Sequence, residues 1–124
     1  MKIIVTATAP DLEAPVNPRF GRADYFVVVD TDTMQWWAHP NQGVHAAGGA
    51  GAQAAQFAAQ QGAQAIISGD FGPNAYTALA AAGIGMYLLG ASRTVAEAVE
   101  QFKAGKLTQV SAPTGAGQHG GRNQ

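Results

Sequence analysis

The chain has 124 residues, 47% of them hydrophobic, with a formal net charge of −1 and no cysteine. This length favours one domain that buries its own core. The low charge argues against nucleic-acid binding by a basic surface, and the missing cysteine excludes disulfides, thiolate nucleophiles and metal sites with thiolate ligands. The sequence shows neither an apolar run of about 18 residues nor a signal-peptide pattern. We therefore expect a cytoplasmic protein that binds neither nucleic acid nor membrane.

The first forty residues predict three strands. KIIVTAT is an apolar strand rich in β-branched residues, and the proline-rich loop APDLEAPVNPRFGR follows it. DYFVVVD and MQWWAHP form an antiparallel pair around the turn TDT, and Pro40 suits an edge strand. Trp36 and Trp37 should face opposite sides of this strand. We expect one in the core and the other exposed for a partner.

Residues 51–69 and 72–90 repeat one pattern of helix, glycine and strand. The glycines recur at the same spacing in both units: Gly51, Gly62 and Gly69, then Gly72, Gly83 and Gly90. Gly62 and Gly83 stand where a left-handed cap residue ends a helix. A third helix is predicted from Val95 to Ala104, and Thr94 with Glu97 predicts a capping box at its start.

Two successive helix-then-strand units predict parallel strands joined by right-handed crossovers. We therefore predict an α/β fold with a five-stranded mixed sheet in the order 3-2-1-4-5. Only strand 2 is antiparallel, and helices cover both faces. This is the strand order of ribonuclease-H-like folds. We assign the domain to residues 1–108 and expect residues 109–124, which are rich in glycine, to form a flexible tail.

In this topology four loops converge on one rim, at the carboxyl ends of the parallel strands, where open α/β sheets bind ligands. These loops contain PRFGR, NQGVHAAGGAG, GDFGPN and GASRT. Arg19, Arg22 and Arg93 bring positive charge to the rim, and two glycine-rich helix starts bring backbone N–H groups. The pattern favours a pocket for a small anion. Surface arginines paired with Asp11 or Asp24 are the alternative interpretation.

Asp70 is the single formal charge in residues 33–92. One carboxylate cannot hold the two metal ions of a nuclease site, so we reject nuclease activity. We expect Asp70 to cap the helix that begins at Pro73. The backbone of Gly72 and the side chain of Asn74 are the better candidates for contact with a ligand.

Four stretches carry a resemblance to a known family: NPRFGRADYFVVVD, NQGVHAAGGAGAQAAQF, ISGDFGPNAYTALAAAGIGMYLL and TVAEAVEQFKAGKL. Together they resemble the dinitrogenase iron–molybdenum cofactor biosynthesis family, over about Met1 to Leu107. The resemblance implies a ribonuclease-H-like fold without nuclease activity, and we expect a carrier that is not an enzyme. Members of the family carry iron–molybdenum cofactor precursors. Small members from sulfate-reducing bacteria hold a molybdenum–copper sulfide cluster without covalent attachment.

The resemblance implies that this chain carries an anionic metal–sulfur cluster. The missing cysteine favours a molybdenum–copper sulfide cluster held non-covalently, with an iron–molybdenum cofactor precursor as the alternative. His45, in the loop GVHAAGGAG, is the candidate metal ligand, and a surface histidine is the alternative. The expected cluster site is made of rim residues: Arg19, Phe20, Gly21, Arg22, His45, Gly48, Gly49, Phe71, Gly72, Asn74 and Arg93.

We expect a monomer or a weak homodimer, with a protein partner in cluster delivery. Two other functions stay open at this point. One is a binding module for a phosphate-bearing small molecule or nucleotide, which would use the same helix starts. The other is a regulatory scaffold that acts through the edge strand with Trp36 and Trp37.

Overall fold

The computed structural model of the chain describes residues 1–41 and 49–114. The strands are β1 (Lys2–Ala7), β2 (Tyr25–Asp30), β3 (Trp36–Pro40), β4 (Ala65–Ser68) and β5 (Gly85–Leu88), and the helices are α1 (Ala50–Gln60), α2 (Pro73–Ala81) and α3 (Val95–Lys103). The strands form one sheet in the order β3-β2-β1-β4-β5. β1, β4 and β5 are parallel, whereas β2 is antiparallel to both of its neighbours. The predicted strand order and strand directions are confirmed.

Helices cover both faces of the sheet, as predicted, and each face has its own core. Alternate side chains of β1 point to opposite faces. Ile4 packs with α1 and α2, through residues such as Ala58 and Leu79. Ile3 packs with α3, through residues such as Val99. None of the described helices is long and apolar enough to cross a membrane.

The repeat glycines end their helices as predicted. Gly62 and Gly83 each have a φ of 74°, a left-handed conformation that is costly for residues with a side chain. At the start of α3, the Thr94 hydroxyl accepts a hydrogen bond from the Glu97 N–H at 3.2 Å. The Glu97 carboxylate accepts a bond from the Arg93 N–H at 2.8 Å rather than from the cap residue.

Trp36 and Trp37 are both exposed, at 38% and 44%, so the prediction that one of them lies in the core is wrong. The reason is the position of the helices. α1 contacts β3 at the other end of the strand, where the rings of His39 and Phe57 lie 5.1 Å apart. At the tryptophan end, the Lys2 ammonium lies 5.8 Å from the centre of the Trp37 ring.

The C-terminal segment covers the outer edge of β5. Three backbone contacts hold it there: Leu88 N–H to Thr108 O at 2.9 Å, Val110 N–H to Met86 O at 2.7 Å, and an antiparallel bridge between Tyr87 and Gln109. The Tyr76 hydroxyl then donates to the Ser111 carbonyl at 2.9 Å. Residues 109–114, which the sequence assigns to the tail, therefore pack on the domain, and residues 115–124 lie outside the described residues.

Candidate functional site

Helices α1 and α2 begin side by side at the rim. Gly51, in the first turn of α1, lies against Ala75 of α2, so closely that a Cβ on Gly51 would be 3.0 Å from the Cβ of Ala75. The missing side chain at this repeat position allows the two helix starts to approach each other. The N-cap residues are Gly49 and Gly72, and no side chain in the described part of the chain caps either helix.

The two helix starts create a positive electrostatic potential. Neither first turn contains an acidic residue, so nothing there opposes the helix dipoles. Each dipole places roughly half a positive elementary charge at the N-terminus, and the effects of two adjacent N-termini add. Backbone N–H groups without side-chain acceptors are suited to binding an anion.

A cavity of about 320 Å³ lies between these helix starts and the turn before β2. We call it the helix-start cavity, and its lining residues are Gly21, Arg22, Gly49, Gly51, Gly72, Pro73, Asn74 and Ala75. Arg22 is the charged residue of this lining. Five of the residues predicted from the sequence therefore meet here: Gly21, Arg22, Gly49, Gly72 and Asn74.

Asn41 holds the backbone around Arg22. Asn41 is 5% exposed, and its Nδ2 donates to the carbonyls of Gly21 at 3.1 Å and Ala23 at 2.9 Å. These two residues flank Arg22, so the amide fixes the turn that presents the guanidinium to the cavity. Sequence reasoning missed this residue. The sequence signal that could have identified Asn41 is its position directly after Pro40, the last residue of β3.

The loop before β2 and the turn after β4 are joined edge to edge. Arg19 and Asp70 form a parallel backbone bridge, and the Ser68 hydroxyl donates to the Pro18 carbonyl at 3.3 Å. A Cβ on Gly69 would lie 2.5 Å from the Cβ of Pro18 and 2.7 Å from its Cα, so a residue with a side chain does not fit there. We call the paired segments 18–20 and 69–71 the loop seam.

Phe20 and Phe71 anchor the loop seam to the hydrophobic core. Both rings are buried, at 2% and 0% exposure, and their centroids lie 5.7 Å apart. They belong to the core under α1 and α2 and are not lining residues of the helix-start cavity. The structure thus places these two predicted site residues in the core that supports the rim, and not in the lining of the cavity.

Thr114 is hydrogen-bonded to the turn that follows β4, through Phe71. The Phe71 N–H donates to the Thr114 hydroxyl at 2.8 Å, and the Thr114 N–H donates to the Phe71 carbonyl at 2.7 Å. The C-terminal segment therefore ends, within the described residues, next to the turn that supplies Gly72 to the cavity.

The remaining predicted arginines lie outside the cavity lining. Arg19 is exposed on the loop seam and forms no ion pair with Asp11 or Asp24 within residues 1–41 and 49–114. Arg93 lies in the loop between β5 and α3, where its carbonyl accepts a hydrogen bond from the Val16 N–H at 3.0 Å.

The prediction that Asp70 caps α2 is wrong. The N-cap is Gly72, and no side-chain hydrogen bond caps the helix within the described residues. The backbone bridge with Arg19 fixes Asp70 two residues before the cap position. The side chain that caps a helix usually belongs to the N-cap residue, and here that residue is a glycine.

Two predicted residues, His45 and Gly48, lie outside the described residues. Residues 1–41 and 49–114 contain no group of three or more histidine, aspartate or glutamate side chains that could hold a metal ion.

The family described as "dinitrogenase iron-molybdenum cofactor" matches residues 1–105 of the sequence. The chain belongs to this dinitrogenase iron–molybdenum cofactor family. The family expected from the sequence motifs is therefore confirmed. No match was found among curated protein sequences.

Two solved structures are similar to this member of the iron–molybdenum cofactor family. The apo form of the orange protein from Desulfovibrio gigas is 41% identical, with a TM-score of 0.88 over 92% of this chain and 96% of that chain. A NifB-like protein from Thermotoga, of the DUF35 family, is 28% identical, with a TM-score of 0.78 over 94% of this chain and 98% of that chain. Neither is a ribonuclease H, so the predicted likeness to that fold stays a prediction. Family membership and the likeness to the orange protein point to a binding or carrier role related to a molybdenum cofactor.

Proposed function

We propose that the chain is a non-enzymatic carrier of an anionic metal–sulfur cluster, held non-covalently in the helix-start cavity at the carboxyl-end rim of the sheet. A molybdenum–copper sulfide cluster is the favoured cargo, and an iron–molybdenum cofactor precursor is the alternative. One observation carries the proposal: two helix N-termini that no described side chain caps meet Arg22 at a single cavity. Membership of the iron–molybdenum cofactor family supports it.

The proposed contacts suit a bulky anion with spread charge. Backbone N–H groups of both helix starts and the Arg22 guanidinium donate to sulfide sulfurs. The Asn74 amide adds a further donor, and the small surfaces of Gly21 and Ala75 allow close approach. Because the chain has no cysteine, no thiolate takes part.

The other expected site residues have more distant roles in this proposal. Arg19 and Arg93 add long-range attraction, which salt screens. Phe20 and Phe71 hold the loop seam in place. His45 remains the proposed metal ligand, and Gly48 a backbone contact next to Gly49, as the sequence predicted.

The test uses purified apoprotein, tetrathiomolybdate and copper chloride. After desalting, we expect visible charge-transfer bands and retained molybdenum and copper by elemental analysis. Replacing Arg22 with Gln should weaken uptake by roughly tenfold or more, the loss expected for a hydrogen bond to a charged group. Loss of bands and of metal from the wild-type protein after desalting would contradict the carrier role.

The matched control is Arg93→Gln, which removes the same charge outside the cavity lining. We expect uptake by Arg93→Gln to fall much less than uptake by Arg22→Gln, because Arg93 adds only a long-range attraction that salt screens. Equal losses in the two variants would show that net charge, and not the helix-start cavity, controls uptake.

A phosphate-bearing small molecule is the second candidate ligand, because the same helix starts favour phosphate. Titration of the apoprotein with inorganic phosphate and with ATP, followed by calorimetry, separates the two functions. Tight saturable binding of ATP without retention of the cluster would replace the carrier role with a nucleotide-binding role.

A further inference from the structure

The outer edge of β3 carries backbone groups that no described strand pairs. In an antiparallel ladder, alternate residues direct their N–H and C=O groups to one neighbouring strand. The Asp30 N–H donates to the Gln35 carbonyl at 2.9 Å, and the Asn41 N–H donates to the Asp24 carbonyl at 3.0 Å. The register of β2 and β3 runs without a break between these two bonds. Odd-numbered residues of β3 therefore bond to β2, and even-numbered residues direct their backbone groups outward.

The outward groups of β3 are open to a further strand. Trp36 and Ala38 each offer an N–H and a carbonyl, whereas Pro40 offers only a carbonyl. Edge strands of monomeric proteins often carry charged side chains that discourage pairing. Here β3 and its two flanking residues, Gln35 and Asn41, include no aspartate, glutamate, lysine or arginine. The edge thus lacks the charges that would keep a second copy of the same strand away.

Apolar side chains and a groove accompany this edge. Ala38 packs on the α3 side of the sheet, and side chains alternate along a strand, so Trp36 lies on the α3 side and Trp37 on the α1 side. A groove of about 310 Å³ lies between β3 and α1 on the α1 side. His39 lines it from the strand, and three glutamines line it from the helix: Gln53, Gln56 and Gln60.

We propose that two copies of this chain associate through their β3 strands, which pair antiparallel with Trp36 of each copy opposite Ala38 of the other. This pairing forms four N–H to carbonyl hydrogen bonds, two at each Trp36–Ala38 pair. Trp37 then stands opposite Trp37 of the partner subunit, on the two-fold axis. The partner's Gln35 stands opposite His39, where its amide reaches the glutamines of the groove.

Other antiparallel registers of β3 with itself are less favourable. Outward residues have to stand opposite each other, so the register changes in steps of two residues. A shift in one direction places Pro40 opposite Trp36, where the proline ring replaces a donor of the ladder. A shift in the other direction places Ala38 opposite Met34. Met34 has a φ of 63°, outside the strand region, and its N–H already bonds to the Asp30 carbonyl at 2.7 Å.

The expected dimer is weak, because few side chains and four backbone hydrogen bonds make a small interface. We expect a Kd on the order of 100 µM. At micromolar concentrations the chain is then a monomer, with both tryptophans exposed. The inference does not rest on the proposed carrier role, because the β3 edge and its groove share no lining residue with the helix-start cavity and the test uses apoprotein.

Single cysteine variants test which residues face each other. The chain has no cysteine of its own, so one introduced thiol reports on one position. Directly opposite residues at the two-fold position have Cα atoms about 4.5 Å apart, within the range of a disulfide. On air oxidation we expect Trp37→Cys to form a disulfide-linked dimer several-fold faster than Trp36→Cys. The Trp36 variant is the matched control, because Trp36 faces Ala38 and not its own copy.

Backbone variants at Ala38 test the strand pairing itself. Ala38→Pro removes an outward N–H without removing a bond to β2, whereas Ala38→Ser keeps that N–H. Sedimentation equilibrium from about 10 to 500 µM brackets the expected Kd. We expect the wild-type protein and Ala38→Ser to form dimers, and Ala38→Pro to stay a monomer with an unchanged far-UV circular dichroism spectrum.

A charge exchange at position 37 covers the case in which Ala38→Pro does not fold. Trp37 is exposed, so the fold tolerates a polar residue there. Trp37→Lys and Trp37→Glu each place like charges opposite each other in the pair and should be monomers. An equimolar mixture of the two variants should associate again, because opposite charges then face each other.

Three results would overturn the proposal. The first is a wild-type chain that remains a monomer over the whole concentration range. The second is cross-linking of Trp36→Cys as fast as that of Trp37→Cys. The third is a dimer that persists in folded Ala38→Pro, or in Trp37→Lys alone, which would assign the association to another surface.

Discussion

Arg19 and Asp70 are joined through their backbones in a parallel bridge, and no ion pair links their side chains. The two loops of the rim are thus aligned by main-chain contacts rather than by charge. High salt, which screens exposed ion pairs, should leave the loop seam intact. Within the seam, Gly69 lies against Pro18 without space for a side chain, and this packing gives the first prediction.

Replacing Gly69 with Ala should destabilise the protein. The new Cβ would meet the Cβ, Cα and carbonyl oxygen of Pro18 at 2.5 to 2.7 Å, and a proline cannot move away by changing rotamer. Overpacking of this kind costs about 1–3 kcal/mol. Urea denaturation measures the free energy of unfolding.

The control is Gly72→Ala, where a Cβ would meet nothing within 4 Å and φ is −64°. We expect this variant to stay within about 0.5 kcal/mol of the wild-type protein. If Gly69→Ala is as stable as Gly72→Ala, the loops are not in close contact in solution.

Replacing Asn41 with Ala should loosen the turn around Arg22. The change removes the donor to two carbonyls, those of Gly21 and Ala23, in a buried position. The expected cost is about 1–3 kcal/mol of unfolding free energy, together with faster hydrogen exchange at the Arg22 amide. The exposed Asn74 gives the control, since Asn74→Ala should change stability by less than about 0.5 kcal/mol. Unchanged hydrogen exchange at the Arg22 amide in Asn41→Ala would show that the turn keeps its conformation without the Asn41 side chain.

Replacing Thr114 with Val should release the Phe71 amide. Valine keeps the shape of the side chain but lacks the hydroxyl that accepts the Phe71 N–H at 2.8 Å. Hydrogen exchange at this amide should become at least several-fold faster, whereas Thr114→Ser should restore protection. Ser111→Ala is the control, because only the carbonyl of Ser111 bonds to Tyr76. Equal protection in Thr114→Val and Ser111→Ala would mean that the C-terminal segment does not hold the turn.

Replacing Trp36 or Trp37 with Ala should cost less stability than truncating a core ring. Both tryptophans are exposed, at 38% and 44%, so each change should cost about 1 kcal/mol or less, whereas Phe20→Ala should cost about 3–5 kcal/mol. Acrylamide should quench the tryptophan fluorescence of the native protein. A blue-shifted, unquenched emission would contradict this exposure.

The same tryptophans test the scaffold function. If the edge strand mediates association, sedimentation of the wild-type chain shows a species larger than the monomer, and the double variant Trp36→Ala, Trp37→Ala returns to the monomer. The same sedimentation for both proteins would remove the edge-strand scaffold as a candidate.

The sheet could be predicted because its signals are local. The repeated spacing of Gly62 and Gly83 marks two helix ends, and each is followed by a short apolar strand. Right-handed crossovers then leave few possible strand orders. The rim and its residues Gly21, Arg22 and Asn74 follow from this topology.

The parts that could not be predicted depend on contacts between residues distant in sequence. The amide of Asn41 finds its acceptors in an earlier loop, and Gly69 contacts Pro18 across the loop seam. Asp70 has a residue type and a position typical of a cap, yet the bridge to Arg19 fixes its backbone elsewhere. Local patterns carry no information on such pairings.

The two edges of the sheet differ, and the difference limits how this chain can associate. Residues 108–110 already occupy the outer edge of β5, whereas no described strand lies beyond β3. Strand addition needs a row of unpaired backbone groups. Two copies that join through β3 would cover that edge in both copies. The outer edges left among the described residues would be the short segments 108–110, which offer few unpaired backbone groups, so this mode of growth favours a pair over a fibre.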